Sequence, residues 1–498
     1  MRNASFNLTH KERASYRPVS FSDCLTYLKT FFDAFADVRD DWRIRNSGYH
    51  DELLRTFRYH IPEQSSVMEI GCGTGELLAG LNPSRGLGID LSPRMIERAK
   101  IKFSTLDFRC SAIETFSEEV GTFDYIVLSD VLAYTYDILV LFKSLKRFCH
   151  ARTRLIINVH SRLWQPILSL AEFLGLKCRQ PVMNWVTRED VTALLALSGF
   201  DPVQSYANLI CPVHIPFLSR QANRLLPSLV PFKWFSLVNW VVARYPMPPL
   251  ASGPDVAPPA PSVTVVCPCR NEAGNIPEIA RRLPEFGREL ELIFVEGNSS
   301  DNTYEACLTV RDANPARNIS VYRQPGRGKK DAVWLGFSKA KGDVLMILDA
   351  DMTVQPEDLP AFYLALAEGR AEFVNGSRLV YSMEGDAMRF LNLIANKFFG
   401  KMFSFLLGQP IKDTLCGTKV LLRSDFVRLL ANQSYFGSFD PFGDFDLIFG
   451  AAKLGLKIFD LPIRYRQRSY GETQISRFRH GLMLFRMCTV GLFRLKLK

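Results

Sequence analysis

Two α/β domains joined by a proline-rich linker are the architecture that this sequence predicts, and three observations carry the prediction. Apolar runs of strand length alternate with helical segments in two separate series. A glycine-rich turn directly follows the first run of the first series. From Tyr245 through Pro261 stand seven prolines, which continue neither a helix nor a central strand. At 498 residues the chain is long enough for two or three cores.

In the first series the strand candidates are Ser66–Ile70, Gly86–Asp90, Tyr125–Leu128 and Leu155–Val159. Residues 1–60 are polar and aromatic and read as a helical lid or entry segment. Residues 201–245 are apolar and aromatic, with Trp234, Phe235 and Trp240, and read as accessory helices closing a domain over 61–245. After the 246–261 linker the second domain, 262–498, opens with Val263–Cys267, then Leu290–Val295, Ile319–Tyr322 and Val344–Leu348. The halves do not resemble each other, so internal duplication does not explain them.

The first site candidate is Val67-Met-Glu69-Ile-Gly71-Cys-Gly73-Thr-Gly75, a turn between a strand and the helix predicted over Glu76–Leu81. Glycines there let a ligand approach the backbone closely. Asp90 stands nineteen residues after Gly71 at the end of the next strand, where a carboxylate can accept both hydroxyl protons of a ribose. Glu76 occupies the place where a dehydrogenase turn has its third glycine. This set resembles the class I S-adenosylmethionine-dependent methyltransferases over about residues 60–200, implying a Rossmann-like domain. The resemblance implies that Gly71, Gly73 and Gly75 line the methionine part, that Asp90 holds the ribose and that Glu69 belongs to the cofactor site. Ser111 and Ala112 then fall near the adenine, with Ser111 where the family often has an acid. Phe123–Asp130 matches the family's fourth strand. Asp130, Tyr134 and His160 are candidates for an acceptor-side base, each with a purely structural alternative.

The second site candidate is a succession of strand ends. Pro268-Cys-Arg270-Asn-Glu272 follows one strand, Ser-Ser-Asp301 another, then come Gly326-x-Gly328-Lys329-Lys330 and finally Asp349-x-Asp351. Two carboxylates one residue apart after an apolar strand can share a hard divalent cation and the diphosphate it carries. The order resembles the family-2 glycosyltransferases, especially the branch acting on polyprenyl phosphates. That resemblance covers nearly all of 262–480 and implies a GT-A fold, a nucleotide-diphosphosugar donor and inversion at the anomeric carbon. It places Pro268, Arg270, Glu272 and Asp301 around the nucleotide, Lys329 and Asp349 at the donor's diphosphate, and Asp349 with Asp351 on Mg²⁺ or Mn²⁺. Glu296-Gly297 replaces the usual acidic pair after the second strand. Asp413–Lys419 is expected to close the acceptor side. Asp444 or Asp446 is expected to act as the base, with Asp444 preferred because helix-start carboxylates often serve only as caps. Arg468, in Arg468-Ser-Tyr-Gly471-Glu-Thr473, is expected to clamp the diphosphate.

The formal charge of +10 is concentrated near the end, where Arg464–Lys498 has nine Lys or Arg and one acid. That stretch is rich in Leu, Phe and Met, and nothing in it reads as a nucleic-acid-binding module. With Phe390–Leu407 it suggests apolar helices with cationic flanks that lie on an anionic bilayer. No uncharged apolar run approaches the roughly 20 residues of a membrane span. The eleven cysteines are scattered without zinc spacing, and Cys267 and Cys269 read as structural thiols. Together these features place the protein in the cytoplasm, peripheral on the inner face of the cytoplasmic membrane. The expectation is a bifunctional enzyme that passes a sugar to a lipid-linked phosphate or glycan acceptor and methylates a related substrate. A glycosyltransferase carrying a silent scaffolding domain, and a nucleotide-sugar-binding protein without catalysis, are the rival readings.

Overall fold

The computed structural model describes residues 20–181, 184–215, 218–229, 232–246, 260–326, 328–378, 390–432, 443–464 and 477–496. Two compact units divide the chain, Met1–Tyr245 and Pro246–Lys498.

The described part of the first unit begins with three helices, α1 (Phe21–Phe35), α2 (Arg39–Arg45) and α3 (Ser47–His60). Ser20 caps α1 by accepting a hydrogen bond from Asp23 N. The alternating series follows as β1 (Ser66–Ile70), α4 (Glu76–Gly80), β2 (Arg85–Asp90), α5 (Pro93–Lys102), β3 (Asp107–Cys110), β4 (Phe123–Ser129), α6 (Ile138–Leu145) and β5 (Cys149–His160). Next come α7 (Gln165–Phe173), α8 (Arg188–Leu197), β6 (Asp201–Asn208), α9 (Leu218–Leu225) and β7 (Val238–Arg244). The sheet order is β3-β2-β1-β4-β5-β7-β6, with β1 to β5 parallel and β7 antiparallel to both neighbours.

Residues 201–245 therefore differ from the accessory helices expected of them, because they supply two strands as well as α9. Trp240 and Val238 are fully buried, and β7 pairs along its length with β5. An apolar aromatic run does not announce its period when both of its faces are covered, which is the case for this inner strand. Alternate residues of β1 serve two cores, Met68 and Ile70 on one face and Val67 on the other.

The second unit contains β8 (Val263–Cys269), α10 (Ile276–Arg282), β9 (Leu290–Glu296), α11 (Thr303–Ala313), β10 (Asn318–Arg323), α12 (Lys329–Lys339) and β11 (Val344–Ile347). It continues with α13 (Leu359–Ala367), β12 (Phe373–Ser377), α14 (Phe390–Leu407), β13 (Lys419–Leu422), α15 (Arg423–Ala431), α16 (Asp444–Lys453), β14 (Ile458–Pro462) and α17 (Arg477–Gly491). Its order is β10-β9-β8-β11-β13-β12-β14, and only β13 runs antiparallel to its neighbours. Val263, Val265, Cys267 and Cys269 point into one core, and all eleven cysteines are free thiols.

In both units the winding direction reverses at the first strand of the series, β1 in the first and β8 in the second. Ligands of open α/β sheets bind at the carboxyl ends of the strands flanking that point. Among the described residues no helix is long and apolar enough to cross a membrane. Part of the apolar surface of α14 is used internally: Phe403 stacks on Phe449 of α16 and Phe399 meets Phe485 of α17. Lys397 and Lys401 are exposed.

Candidate active sites

At the carboxyl end of β1 the backbone turns through Gly71, Gly73 and Gly75, all with positive φ. Gly73 is constrained twice, since a Cβ there would also lie 2.6 Å from the guanidinium carbon of Arg39. Asp90, ending β2, accepts from Gly73 N at 2.8 Å and from Ser92 N at 2.9 Å. Its carbonyl accepts from Ser111 N at 3.0 Å, which carries Ser111 and Ala112 to the same edge. Burial raises the pKa of Asp90 against those two N–H donors. Glu69 is buried within β1, and burial pushes its pKa up to about 8 although Arg39 opposes the shift. Among the described residues its Oε2 has no hydrogen-bond partner.

These residues line a cavity of about 680 Å³, a size usual for ligand sites. Helices α1 to α3 supply one wall with Leu25, Phe32, Arg39, Trp42 and Tyr49. A cavity holding an orphaned buried carboxylate oxygen, with a glycine turn beneath a guanidinium, fits a ligand that is cationic on one side and carboxylated on the other. S-adenosylmethionine has both charges. Beside the turn, Tyr49 donates to Asp130 Oδ2 at 2.6 Å and its oxygen lies 3.1 Å from His160 Nε2. Asn158 Nδ2 donates to Asp130 Oδ1 at 2.7 Å. Tyr134 donates instead to Gln180, at 2.8 Å.

In the second unit the turns after β8 and β9 are tied together. Asn271 N donates to Ser299 Oγ at 3.0 Å and Ser300 N to Asn271 Oδ1 at 2.8 Å. Glu272 is buried, its N–H donates to Thr303 Oγ1 at 2.9 Å, and its carboxylate accepts from Asn275 at 2.7 Å. Asp301 accepts from Thr303 N at 3.1 Å at the start of α11. Pro268, next to last in β8, is half-buried, and Arg270 follows the strand exposed. Glu296, the departure noted in the sequence, is buried and lies 3.4 Å from Arg323.

Beyond β11 the carboxylates and a lysine converge. Lys329 Nζ lies 2.7 Å from Asp349 Oδ1 and 3.8 Å from Asp444 Oδ2. Burial opposes the lysine's charge, but Asp349 and Asp444 outweigh it and raise its pKa. Asp351 accepts from Thr353 N at 3.1 Å and Thr353 Oγ1 at 2.7 Å. Gly417 sits directly over this group, where a Cβ would come within 2.6 Å of Asp349 Cγ. Asp413 of the same loop is held by a bidentate pair with Arg378, at 2.6 and 2.8 Å. Asp446 pairs with Lys330, and burial still raises its pKa. No cluster of three or more metal-ligating side chains occurs among the described residues. That donor set fits Mg²⁺ or Mn²⁺ bound through one or two carboxylates and completed by substrate phosphates.

Residues 42–205 match the family model described as methyltransferase domain, and residues 264–430 match glycosyl transferase family 2. The chain joins a methyltransferase domain to a family 2 glycosyltransferase domain. Among solved structures, the magnesium protoporphyrin IX methyltransferase of Synechocystis PCC 6803 is 16% identical, with a TM-score of 0.32 over 44% of this chain and 99% of that one. The glucosyl-3-phosphoglycerate synthase of Mycobacterium tuberculosis, solved with Mn²⁺ and UDP, is 19% identical, with a TM-score of 0.35 over 47% of this chain and 80% of that one.

Within the methyltransferase domain, Glu69, Gly71, Gly73, Asp90, Ser111 and Ala112 line one cavity, while Gly75 packs against Phe108. Within the glycosyltransferase domain, Lys329, Asp349 and Asp444 meet, whereas Asp446 is engaged by Lys330. Arg468 lies outside the described residues. Arg39, Tyr49 and the Arg378–Asp413 pair went unread in the sequence, since each acts across more than 30 positions. The one local signal was a run of charged and aromatic residues ahead of the glycine turn.

Proposed function

We propose that the glycosyltransferase domain moves a sugar from a nucleotide-diphosphosugar onto a lipid-linked phosphate or glycan acceptor. The convergence of Lys329, Asp349 and Asp444 beneath Gly417 carries this reading. A divalent cation held by Asp349 and Asp351 would neutralise charge on the departing nucleoside diphosphate. Arg270, Glu272 and Asp301 stand where the nucleotide would lie, and Lys329 adds a cation beside the diphosphate. Asp444 would accept the acceptor's proton, or orient an acceptor phosphate that is already ionised. Support for a lipid acceptor is the cationic, apolar character of α14 and the chain's final segment, with Phe398, Phe485 and Phe493 exposed.

The methyltransferase domain would bind S-adenosylmethionine along Gly71–Gly75, with Asp90 at the ribose, Ser111 and Ala112 at the adenine, and Glu69 on the cationic side. Bound there, the cofactor supplies an electrophilic methyl group. The test is nucleoside-diphosphate release with Mg²⁺ or Mn²⁺ from a panel of UDP- and GDP-sugars, with and without a short polyprenyl phosphate and anionic liposomes. Release stimulated by the lipid phosphate supports the acceptor class. Release indifferent to it points to a glycan, and no release from any donor removes the transfer reading.

A further inference from the structure

Within the cavity of the methyltransferase domain one polar cluster is left unused by cofactor binding. Asp130 follows β4 in a left-handed backbone conformation, with φ of 57°. Such a conformation in a non-glycine residue is held only where its surroundings enforce it. Here Asn158 of the neighbouring strand fixes Oδ1 at 2.7 Å, and Tyr49 from α3 fixes Oδ2 at 2.6 Å. Burial and the Asp130 carboxylate both raise the pKa of the Tyr49 phenol, so it keeps its proton. That proton is committed to Asp130, so His160 Nε2, 3.1 Å from the phenol oxygen, is the donor in their contact. The imidazole is thereby set in the Nε2–H tautomer, with Nδ1 basic. Among the described residues Nδ1 has no hydrogen-bond partner, and His160 lines the cavity. Asp130 Oδ1 stands 3.9 Å from Nε2.

The cluster is also beside the glycine turn. A Cβ on Gly71 would come within 2.9 Å of Val131 Cγ2, and Val131 directly follows Asp130. One stretch of the remaining wall is apolar, with Phe21, Leu25, Leu28, Phe32 and Ile167.

We infer that His160, positioned by Asp130 and Tyr49, is the general base of an O-methyl transfer to a hydroxyl carried on an apolar body. This rests on the reading of the domain as an S-adenosylmethionine-dependent methyltransferase. The acceptor oxygen forms the new O–CH₃ bond while the C–S bond breaks, its electron pair going to sulfur to leave a neutral thioether. The hydroxyl proton passes to Nδ1 of His160. A neutral amine attacks with a lone pair it already has, whereas a hydroxyl is a poor nucleophile until its proton is withdrawn. A base held by a carboxylate is therefore what a hydroxyl acceptor requires.

The test uses the full chain with 4-octylphenol and 4-octylaniline, which share an apolar body and differ in the nucleophile, and reads thioether product. Methylation of the phenol at least tenfold faster than the aniline is expected. His160→Ala and Asp130→Asn should each lower kcat by about 10²-fold or more, with the calorimetric Kd for S-adenosylmethionine within twofold of the parent. Tyr49→Phe should lower kcat less, since it keeps the ring and removes only the positioning contact. Preference for the aniline, or His160→Ala turning over at more than a third of the parent rate, overturns the assignment. Cofactor binding without transfer to the phenol also overturns it and leaves the methyltransferase reading standing. Failure of the folded parent to bind the cofactor removes both.

Discussion

Gly417→Ala isolates the geometry of the glycosyltransferase centre with a single methyl group. A Cβ at this position would meet Asp349 Cγ at 2.6 Å, whereas ordinary van der Waals contact begins at 3.4 Å. Asp349 Oδ2 would be met closer still, so the carboxylate must retreat by more than about 1 Å, and its partner Lys329, whose Nζ is also in the way, must move with it. The atoms met first are the ends of side chains rather than backbone, so the fold can absorb the change while the site cannot. Displacement of a reacting group by about 1 Å can cost on the order of 10²-fold in rate, about 2.7 kcal/mol. We expect Gly417→Ala to lose that much in kcat/KM for release of nucleoside diphosphate, measured with whichever donor in the panel turns over fastest. The affinity for S-adenosylmethionine, which reports on the other unit, should stay within twofold. A variant that keeps more than half of the parent kcat/KM would refute the placement of Asp349 at the reacting centre.

Lys329→Met leaves Asp349 and Asp444 without the cation between them. We expect a loss of stability in denaturant titrations and a larger rise in Tm on adding Mn²⁺ than the parent shows; equal Mn²⁺ responses would argue against a shared cation site. Asp351→Asn should abolish sugar transfer and leave S-adenosylmethionine binding intact, and calorimetry showing loss of both would contradict two separate sites. Asp90→Ala should weaken cofactor binding by about 1–3 kcal/mol, the range for a hydrogen bond to a charged group; an unchanged Kd would remove Asp90 from the site. Glu69 ionises at about 8 in the folded chain against 4.5 ordinarily. The unfolded chain thus releases this proton first, and the folded state loses stability as pH rises from 4.5 towards 8, by about 5 kcal/mol across that span. Glu69→Gln should therefore stabilise the cofactor-free protein more at pH 8 than at pH 5, and denaturant titrations showing the same gain at both would refute the buried acid.

What could be read from the sequence was what local chemistry dictates. The strands of both series, from Ser66–Ile70 to Val344, are short apolar runs bounded by turns, and that pattern needs no knowledge of partners. Glycines after a strand and paired aspartates after another announce phosphate and cofactor chemistry within a few residues. Val238–Arg244 was misjudged because a strand covered on both faces has no alternation to reveal its period. The charge state of Glu69 was invisible for a related reason, since a pKa depends on burial that no neighbour in sequence supplies. Only the tertiary structure brought Tyr49 across 81 positions onto Asp130, set Lys329 between Asp349 and Asp444, and laid Gly417 over that pair. Residue type and spacing determined what chemistry this chain can host. Which side chains share a cavity, and in which protonation state, was decided by packing, because those contacts join elements whose separation along the chain has no preferred value.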